Sequence, residues 1–571
     1  MSSRERFEPA SLAVALHWAS LVGAAAFLLW VNRHQWFFVD DFAFVADRGL
    51  IGTHDQGLWE PHNEHWSTIP VLVYRALYML FGVRTYLPYL LVLIGAHLLL
   101  VHLMWRLFRR IGIDPFIATA AAGLFAVLGA GWENLTWAFA FSTVASLAAG
   151  FGALLVMPGR RSFGRRDAAV WALTIVGLMC SGVGGAMLGV VGLTALLRRG
   201  ARAAVVIVSV PAAVYVTWYL VYGREAPRLT FREPFSTAVQ KIPAFAWSGL
   251  TGAVDAATGL SGIGVVVVLG LGVWLARASR PREEPWVLAL STAFGALLFL
   301  ALITLSRSGL GVEFAATSRY AYVVIALLLP ATAFAVDALL RGSRVRLAAV
   351  AGLTAALLVV QLSELNRMAD DYAVIEQEQK HRILAAAELL DEGAEIIEKL
   401  PSPDYAPNLS ADELAEIDRE GKLPGNVGVS EEDRLTARVY LQVSLGPDPA
   451  VAETAARPAF VRAVGAEVRT GPPECVQLAP ASDAPSALLR FELPGNVSIE
   501  ATRQGRLTVT LERTGGALGR ARAFAMQGGI AQVMSVAADD VVVRLELPPD
   551  GTTTVCGLAP ASFAPESGAP I

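Results

Sequence analysis

Charged residues are scarce in this sequence. Of its 571 residues only 17% are Asp, Glu, Lys or Arg, while 54% are apolar and the mean hydropathy is +0.50. Soluble globular proteins carry about 25% charged residues, so this composition argues against an ordinary soluble enzyme. The apolar residues are grouped in blocks of helix length, which is typical of a polytopic membrane protein.

Cysteine is also scarce, with 3 in the whole chain. Cys180 lies in an apolar block, whereas Cys475 and Cys556 lie in the polar C-terminal part. A disulfide between the latter two is chemically allowed if that part is exported, because disulfides persist in oxidising compartments. The sequence leaves open whether the bond forms.

The net charge of −4 combines two parts of opposite sign. Residues 1–365 contain 28 basic and 19 acidic residues, and residues 366–571 contain 18 basic and 31 acidic residues. The acidic part would repel a phosphate backbone, which argues against nucleic acid as a partner. We therefore expect a transmembrane domain over 1–365, followed by a soluble body.

Eleven apolar segments have about the length that a spanning helix needs. They are 12–31, 86–106, 116–131, 136–157, 168–182, 186–198, 202–222, 258–277, 285–305, 319–339 and 345–365. If the arginine clusters between them face the cytoplasm, the segments alternate only when the short segment 186–198 also spans. This topology places the N-terminus in the cytoplasm and the C-terminal part outside. The high content of Ala, Arg, Gly and Val suggests a bacterial plasma membrane protein.

The first outward loop, residues 32–67, is rich in ionisable groups. It contains the pair Asp40 and Asp41 and four of the 8 histidines. Adjacent carboxylates raise the pKa of one of them, which suits a base that takes a proton from a sugar hydroxyl. The alternative is a solvated loop whose two acids cap a short helix at Phe42. The apolar stretch that follows, 68–82, predicts a helix lying along the membrane surface.

Two further outward loops carry basic residues. Residues 223–257 hold Arg224, Arg228, Arg232 and Lys241, and residues 306–318 hold Arg307 and Glu313 and lead into Arg319, Tyr320 and Tyr322. Guanidinium groups there suit a lipid phosphate, which their planar fork grips. The alternative is that they reach ordinary headgroups from within an aromatic belt.

The histidine-rich stretch raises the question of a metal. Glu60, His62, Glu64 and His65 offer the imidazole and carboxylate ligands that zinc accepts. Their spacing matches no zinc signature such as His-Glu-x-x-His. A divalent ion on Asp40 or Asp41 is a second open alternative, and no other cofactor is indicated.

Taken in order along the chain, these features resemble the GT-C superfamily of membrane glycosyltransferases, which use polyprenyl-phosphate-linked sugars. The resemblance covers roughly residues 10–365. It is carried by Val39-Asp40-Asp41-Phe42, His62-Asn63-Glu64-His65-Trp66, Leu80-Phe81-Gly82, the basic end Arg106–Arg110, Trp132-Glu133-Asn134-Leu135-Thr136-Trp137 and Ser318-Arg319-Tyr320. The His-Asn-Glu-His string stands where many relatives have a proline-rich His-Pro-Pro turn.

The resemblance implies an inverting sugar transfer, with Asp40 as the base, Asp41 as its orienter or replacement, and Arg319 neutralising the departing phosphate. The substrate site is expected to include His62, Glu64, His65, Glu133, Arg224, Arg307, Arg319 and Tyr320. The implied partners are a polyprenyl-phosphate-linked sugar donor, an envelope glycan or lipid acceptor, and membrane lipids. A flippase for lipid-linked saccharides and a non-catalytic scaffold are the alternatives. The distinctive polar residues collect on one side of the membrane, which favours surface chemistry over passage.

The C-terminal half divides into three predicted parts. Residues 366–458 form a helical connector, with helices at 367–400, at 410–420 behind the capping box Ser410–Glu413, and at 430–443. Residues 459–558 alternate in short runs between turns, which predicts a β-sandwich of about eight strands with Cys475 and Cys556 near its ends. Residues 559–571 predict a disordered tail.

Overall fold

The computed structural model describes residues 9–46, 48, 57–159, 163–226, 232–278, 283–340, 344–425, 427–451, 457–513 and 516–559. The chain forms two compact units. The first comprises Met1–Phe37, Gln56–Leu80 and Thr85–Ile375, and the second comprises Phe38–Asp55, Phe81–Arg84 and Glu376–Ile571. All of the predicted disordered tail except Ala559 lies outside the described residues.

The division between the units differs from the predicted boundary at residue 365. Two short N-terminal segments belong to the second unit because backbone hydrogen bonds join them to it. The amide of Val39 donates to the carbonyl of Tyr405 at 2.8 Å, and the amide of Val83 donates to the carbonyl of Lys422 at 3.0 Å. Such main-chain bonds leave no trace in composition or hydropathy.

The first unit is built from helices. They are α1 (Pro9–Val31), α3 (Thr68–Phe81), α4 (Leu87–Arg110), α5 (Pro115–Ala126), α6 (Glu133–Thr136), α7 (Phe141–Val156), α8 (Arg165–Leu178), α9 (Val183–Arg199), α10 (Ala201–Val221), α11 (Phe235–Thr258), α12 (Ile263–Arg277), α13 (Glu284–Arg307), α14 (Ser318–Leu340) and α15 (Arg344–Asp391), which continues into the second unit. The short α2 (Asp40–Val45) belongs to the second unit.

Among the described residues, 7 helices are long and apolar enough to cross a membrane, or up to 8 if one bent pair counts as a span. They correspond to α1, α4, α7, α10, α13, α14 and α15, and the bent pair is α11 with α12. A polytopic membrane protein is thus supported, whereas the predicted count of eleven is not confirmed. The difference arises because α5, α8 and α9 have only 12, 14 and 17 residues.

The region predicted as an outward loop, 223–257, contains a long helix instead. Helix α11 occupies most of it and is followed, after a bend of 114°, by α12. The carboxylate of Asp255 holds the bend by accepting hydrogen bonds from the amides of Gly262 at 2.9 Å and Gly264 at 2.6 Å. A Cβ on Gly264 would lie 2.1 Å from the carbonyl oxygen of Thr251, so glycine is required there.

A buried histidine links three helices of the first unit. His97 of α4 is hydrogen-bonded to the hydroxyl of Tyr322 in α14 at 2.7 Å and to the carbonyl of Ala126 in α5 at 3.1 Å. Both ring nitrogens therefore have partners, as buried polar groups in an apolar interior require. The bonds give His97 a structural role between these helices.

In the second unit, two further helices come before two sheets. Helix α16 (Ala411–Arg419) begins at the predicted capping box, where the Ser410 amide donates to Glu413 at 2.8 Å and the Glu413 amide donates to Ser410 Oγ at 3.2 Å. Helix α17 (Glu431–Gln442) matches the prediction for 430–443. The helix predicted at 367–400 corresponds to the end of α15, which starts at Arg344 and ends at Asp391, before the predicted end at residue 400.

The two sheets are antiparallel throughout. The strands are β1 (Val443–Gly446), β2 (Ala459–Val464), β3 (Ala466–Thr470), β4 (Cys475–Pro480), β5 (Ser486–Phe491), β6 (Gly495–Ala501), β7 (Gly505–Glu512), β8 (Arg522–Met526), β9 (Ala531–Val536), β10 (Val541–Glu546) and β11 (Thr553–Cys556). One sheet has the order β1-β9-β6-β11-β4-β3 and the other the order β2-β5-β10-β7-β8. A sandwich is present as predicted, with more strands than expected and its first strand before residue 459.

The core of the sandwich lies between the two sheets. Val497 and Ile499 of one sheet and Val509 and Leu545 of the other belong to a single cluster of buried apolar side chains. Cys475 and Cys556 form a disulfide between the paired strands β4 and β11. The bond that the sequence allowed is therefore present, and it joins neighbouring strands of one sheet.

Candidate functional site

A tight turn in the first unit positions the residues of the His-Asn-Glu-His string. The backbones of His62 and His65 pair in both directions, at 3.0 and 2.9 Å. Asn63 has a φ of 51°, a left-handed conformation that asparagine tolerates better than most residues. The turn therefore fixes the backbone positions of Glu64 and His65.

Aromatic side chains hold the loop that carries this turn against α10. The indole of Trp66 stacks on that of Trp218, with ring centroids 5.1 Å apart and an interplanar angle of 3°. Trp218 Nε1 in turn donates to the carbonyl of Trp59 at 2.7 Å. Because Trp218 lies in the last turn of α10, the loop is attached at that end of the helix.

Glu64 forms an ion pair with Arg307 at the end of α13. Arg307 Nη1 donates to Glu64 Oε1 at 2.6 Å, and the side chains are only 25% and 14% exposed. Burial raises the pKa of the Glu64 carboxyl, but His65 and Arg307 outweigh burial and hold that pKa below its ordinary value. Glu64 Oε2 is buried and has no hydrogen-bond partner among the residues that the structure describes. The pair is charged at neutral pH and retains one oxygen able to accept a further bond.

His65 lies between this pair and the start of α9. Its Nε2 is 3.9 Å from Glu64 Oε1. A Cβ on Gly182, the residue before α9, would lie 2.8 Å from His65 Nδ1. A side chain at 182 would displace the imidazole, so Gly182 belongs to the site although its position predicts no chemistry.

Glu133 and Arg319 form a second ion pair. Arg319 Nη2 is 3.1 Å from Glu133 Oε1, and the Arg319 amide donates to Glu133 Oε2 at 2.9 Å. In the opposite direction, the Glu133 amide donates to Ser318 Oγ at 3.1 Å. Each segment thus caps the first turn of the other's helix, which is how two positions 186 residues apart become fixed.

Aromatic residues connect the two ion pairs. The guanidinium carbon of Arg319 lies 5.4 Å from the ring centroid of Trp137, whose ring is 5.1 Å from that of Phe139, which lies 5.4 Å from the ring of His62. Tyr320, the residue after Arg319, is hydrogen-bonded to Arg307 of the first ion pair. Here we call His62, Glu64, His65, Glu133, Arg307, Arg319 and Tyr320 the arginine cluster.

Arg224 does not join the arginine cluster. It is exposed, and its Nε donates to the carbonyl of Leu220 in the preceding helix α10 at 2.9 Å. Lys241 lies closer, because its Nζ is 2.6 Å from Glu233 Oε1 and 3.4 Å from the carbonyl of Ser308, the neighbour of Arg307. Arg228 lies outside the described residues.

Asp40 and Asp41 belong to the second unit and open helix α2. Asp41 is fully buried, and its Oδ2 accepts a hydrogen bond from the amide of Phe38 at 3.0 Å. Asp40 is half-buried. Val39 before it has φ 43° and ψ −103°, a strained conformation for a β-branched residue. Strain of this kind clusters at functional sites, which draws attention to Asp40.

No group of three or more His, Cys, Asp or Glu side chains among the described residues is arranged to hold a metal ion. Glu64 is committed to Arg307, and Glu60 is exposed. The zinc alternative therefore gains no support from the part of the chain that the structure covers. Asp41 is likewise engaged with its own turn.

The structure brings together most of the substrate residues predicted from the sequence. Two contributors were not predicted, namely Gly182 and Phe139. Gly182 gives no chemical signal, and Phe139 is one of 25 phenylalanines in the chain. Only their distances to the two histidines reveal them.

Comparison with known proteins gives no relative: no protein-family model, no curated protein and no solved structure matches this chain.

Proposed function

We propose that this protein is an inverting membrane glycosyltransferase of the GT-C type. It moves a sugar from a polyprenyl-phosphate donor to an envelope glycan or lipid acceptor outside the bacterial plasma membrane. The proposal rests above all on the arginine cluster, which places Arg307 and Arg319 at the ends of two apolar helices. It includes α5, α8 and α9 as additional short spans, with the N-terminus in the cytoplasm and the sandwich outside.

The arginine cluster has the chemistry of a lipid-phosphate site. Glu133 orients the guanidinium of Arg319, whose side chain is 43% exposed and thus accessible to a ligand. Arg307 is more enclosed, and a phosphate oxygen near it benefits from a less polar surrounding. Planar guanidinium groups hold phosphates through paired N–H bonds. Positive charge at this place stabilises the phosphate that leaves during the transfer.

The proposed reaction is a single displacement. The acceptor hydroxyl oxygen attacks the anomeric carbon of the donor sugar, and the bond from that carbon to the phosphate oxygen breaks. The phosphate leaves with the electron pair, and the configuration at the anomeric carbon inverts. The hydroxyl proton passes to a carboxylate acting as general base.

Asp40 is the better candidate for this base. Asp41 is fully buried and accepts the amide hydrogen of Phe38, so its carboxylate has a structural task. Asp40 is half-buried and follows the strained Val39. We therefore assign the proton transfer to Asp40 and the local backbone geometry to Asp41.

The buried histidine His97 in the spans gives no support to a flippase. A transport path needs ionisable groups along the membrane. His97, the fully buried histidine of α4, has both ring nitrogens engaged by other helices. It is accounted for by packing, whereas the arginines of the cluster stand at helix ends.

Donor binding is tested first. The thermal midpoint of the detergent-purified protein is recorded with polyprenyl-phosphate sugars and with bare polyprenyl phosphate, since a ligand of the native state raises it. We expect a rise with one sugar lipid that Arg319→Ala abolishes and that Arg224→Ala, an exposed control, leaves intact. No rise with any of these lipids would favour the scaffold alternative.

Turnover is tested second, with the sugar lipid identified by binding. Asp40→Asn should abolish product formation while the thermal shift persists, and Asp41→Asn should instead lower the midpoint of the unliganded protein. Binding without product in the wild type, together with movement of the lipid between the leaflets of a proteoliposome, would establish the flippase instead.

A further inference from the structure

A second group of arginines lies at the other ends of α9 and α13. Arg110 is the last residue of α4, Arg198 and Arg199 end α9, and Glu284 begins α13. The arginine cluster described above lies beside the start of α9 and at the end of α13. The two groups are therefore separate sites within the first unit. We call Arg110, Arg198, Arg199 and Glu284 the basic corner.

Positive charge exceeds negative charge at the basic corner. A single oxygen, Glu284 Oε1, serves two guanidinium groups: it is 3.1 Å from Arg110 Nε and 3.3 Å from Arg198 Nη1. Arg199 has its own buried partner in Asp167, at 2.5 Å. These three arginines therefore share two carboxylates.

The donors of the basic corner are not all used by the protein. Arg110 directs Nη1 and Nη2 to the carbonyls of Leu155 and Met157, which end α7. Arg199 Nε and Nη2 are buried and donate no hydrogen bond to any described residue, and Arg198 Nη1 has only its 3.3 Å ion-pair contact with Glu284 Oε1. Arg198 Nη2 lies beside the exposed Gly159, 3.5 Å from the position that a Cβ would take on this glycine. Enclosed guanidinium N–H groups that lack an acceptor are costly, and an anion beside them would relieve that cost.

We propose that the basic corner binds the phosphodiester headgroup of an anionic phospholipid. The corner lies at the ends of apolar helices, where lipid headgroups are the most abundant anions. The N–H groups of Arg198 and Arg110 that the protein leaves unused supply the donors. The side chains of Arg110 and Glu284, 30% and 34% exposed, leave an approach open. Arg199 supplies charge from behind, since its side chain is fully enclosed. The headgroup shares the two guanidinium groups with Glu284.

Two variants of opposite expected effect test the proposal. Binding is measured as the shift of the thermal midpoint with short-chain phosphatidylglycerol, with phosphatidylcholine of the same chain length, and with inorganic phosphate. We expect a shift with phosphatidylglycerol only. Arg198→Gln should raise its apparent Kd at least tenfold, whereas Glu284→Gln, which removes the competing carboxylate, should lower it severalfold. Arg224→Gln, at an exposed site, is the control and should change nothing.

Three outcomes would overturn the proposal. Equal shifts with both phospholipids would show that the negative charge of the headgroup does not contribute to binding. A shift with inorganic phosphate as large as that with phosphatidylglycerol would assign the corner to a soluble anion. Weaker lipid binding in Glu284→Gln would show that this carboxylate organises the corner and does not compete for it, and this variant decides the question even where Arg198→Gln fails to fold.

Discussion

Arg307 donates a 2.6 Å hydrogen bond to Glu64 across 243 positions of the chain. The bond joins the end of α13 to the turn that carries His62 and His65, so an apolar helix and a polar loop share one enclosed ion pair. Removal of either partner leaves the other charge with reduced access to water. Loss of Glu64 or of Arg307 should therefore destabilise the folded protein.

The energetic link between Glu64 and Arg307 is open to a double-mutant cycle. We expect Arg307→Met and Glu64→Gln each to lower the free energy of unfolding, with a coupling energy of about 0.5–3 kcal/mol between them. Unfolding in denaturant is the measurement. Arg224→Met, whose side chain is exposed, should show no coupling to Glu64→Gln. If the losses in the free energy of unfolding of the two single variants simply add in the double variant, the hydrogen bond between them makes no separate contribution to stability.

The same pair predicts an acid-sensitive stability. Burial raises the pKa of Glu64, but His65 and Arg307 prevail and bring that pKa below its ordinary value of 4.5 in the folded protein. The stabilisation is therefore complete above about pH 4.5 and declines as the pH falls through the folded pKa. The thermal midpoint of the wild type should drop more steeply than that of Glu64→Gln below this pH. Parallel curves for the two proteins would contradict the assignment.

Gly182 should be intolerant of any side chain. A Cβ there would stand 2.8 Å from His65 Nδ1, so Gly182→Ala must displace the imidazole. We expect a loss of about 1–3 kcal/mol in the free energy of unfolding, as for other overpacked sites, and weaker donor binding. Gly185→Ala, in the first turn of α9, is the matched control, because its Cβ would be 3.7 Å from Leu302 Cδ1. Equal effects at both positions would place the cause in the helix and not in His65.

The bend between α11 and α12 should depend on Asp255. Its carboxylate accepts two backbone amide hydrogens, from Gly262 and Gly264, in the manner of an N-terminal cap. Asp255→Ala should cost about 0.5–2 kcal/mol, and Gly264→Ala should cost more, since its Cβ would meet the Thr251 carbonyl. Thermal unfolding measures both, with Gly270→Ala as the control because no atom lies within 4 Å of its Cβ position.

The disulfide should stabilise the sandwich. Cys475 and Cys556 are separated by 81 positions, and closing a loop of that size restricts the unfolded chain by typically about 2–4 kcal/mol. Dithiothreitol, or Cys475→Ser with Cys556→Ser, should lower the thermal midpoint of the sandwich. Dithiothreitol should have no further effect on the double variant. A wild-type midpoint unchanged by complete reduction would contradict the prediction.

The sequence allowed the membrane character, the helices α16 and α17 and the sandwich to be predicted, because periodicity and turn residues are local signals. The four basic residues of 223–257 suggested an outward loop, whereas α11 occupies most of that stretch. Pro243 lies inside this helix, and Phe245, Gly249 and Ala253 on it are buried. Tertiary packing has overridden the local signal there.

The candidate site was predictable in its residue types and not in its pairings. The order of motifs pointed to Glu64, Arg307, Glu133 and Arg319, but no local pattern shows which glutamate meets which arginine. The pairs span 243 and 186 positions. Arg224 lies apart from them, since charge alone does not distinguish a side chain that turns back onto the preceding helix.

The bond from the Val39 amide to the Tyr405 carbonyl has a consequence for biosynthesis. The segment that carries Asp40 leaves the ribosome long before its partner exists, and at about 5–20 residues per second the wait is roughly 20–70 s. During that interval Asp40 and Asp41 lack the contact that fixes their backbone, and the strained conformation of Val39 has nothing to maintain it. A nascent chain arrested before residue 405 should therefore carry this segment in a protease-accessible form, and the acidic pair should become protected only after the downstream half has been made.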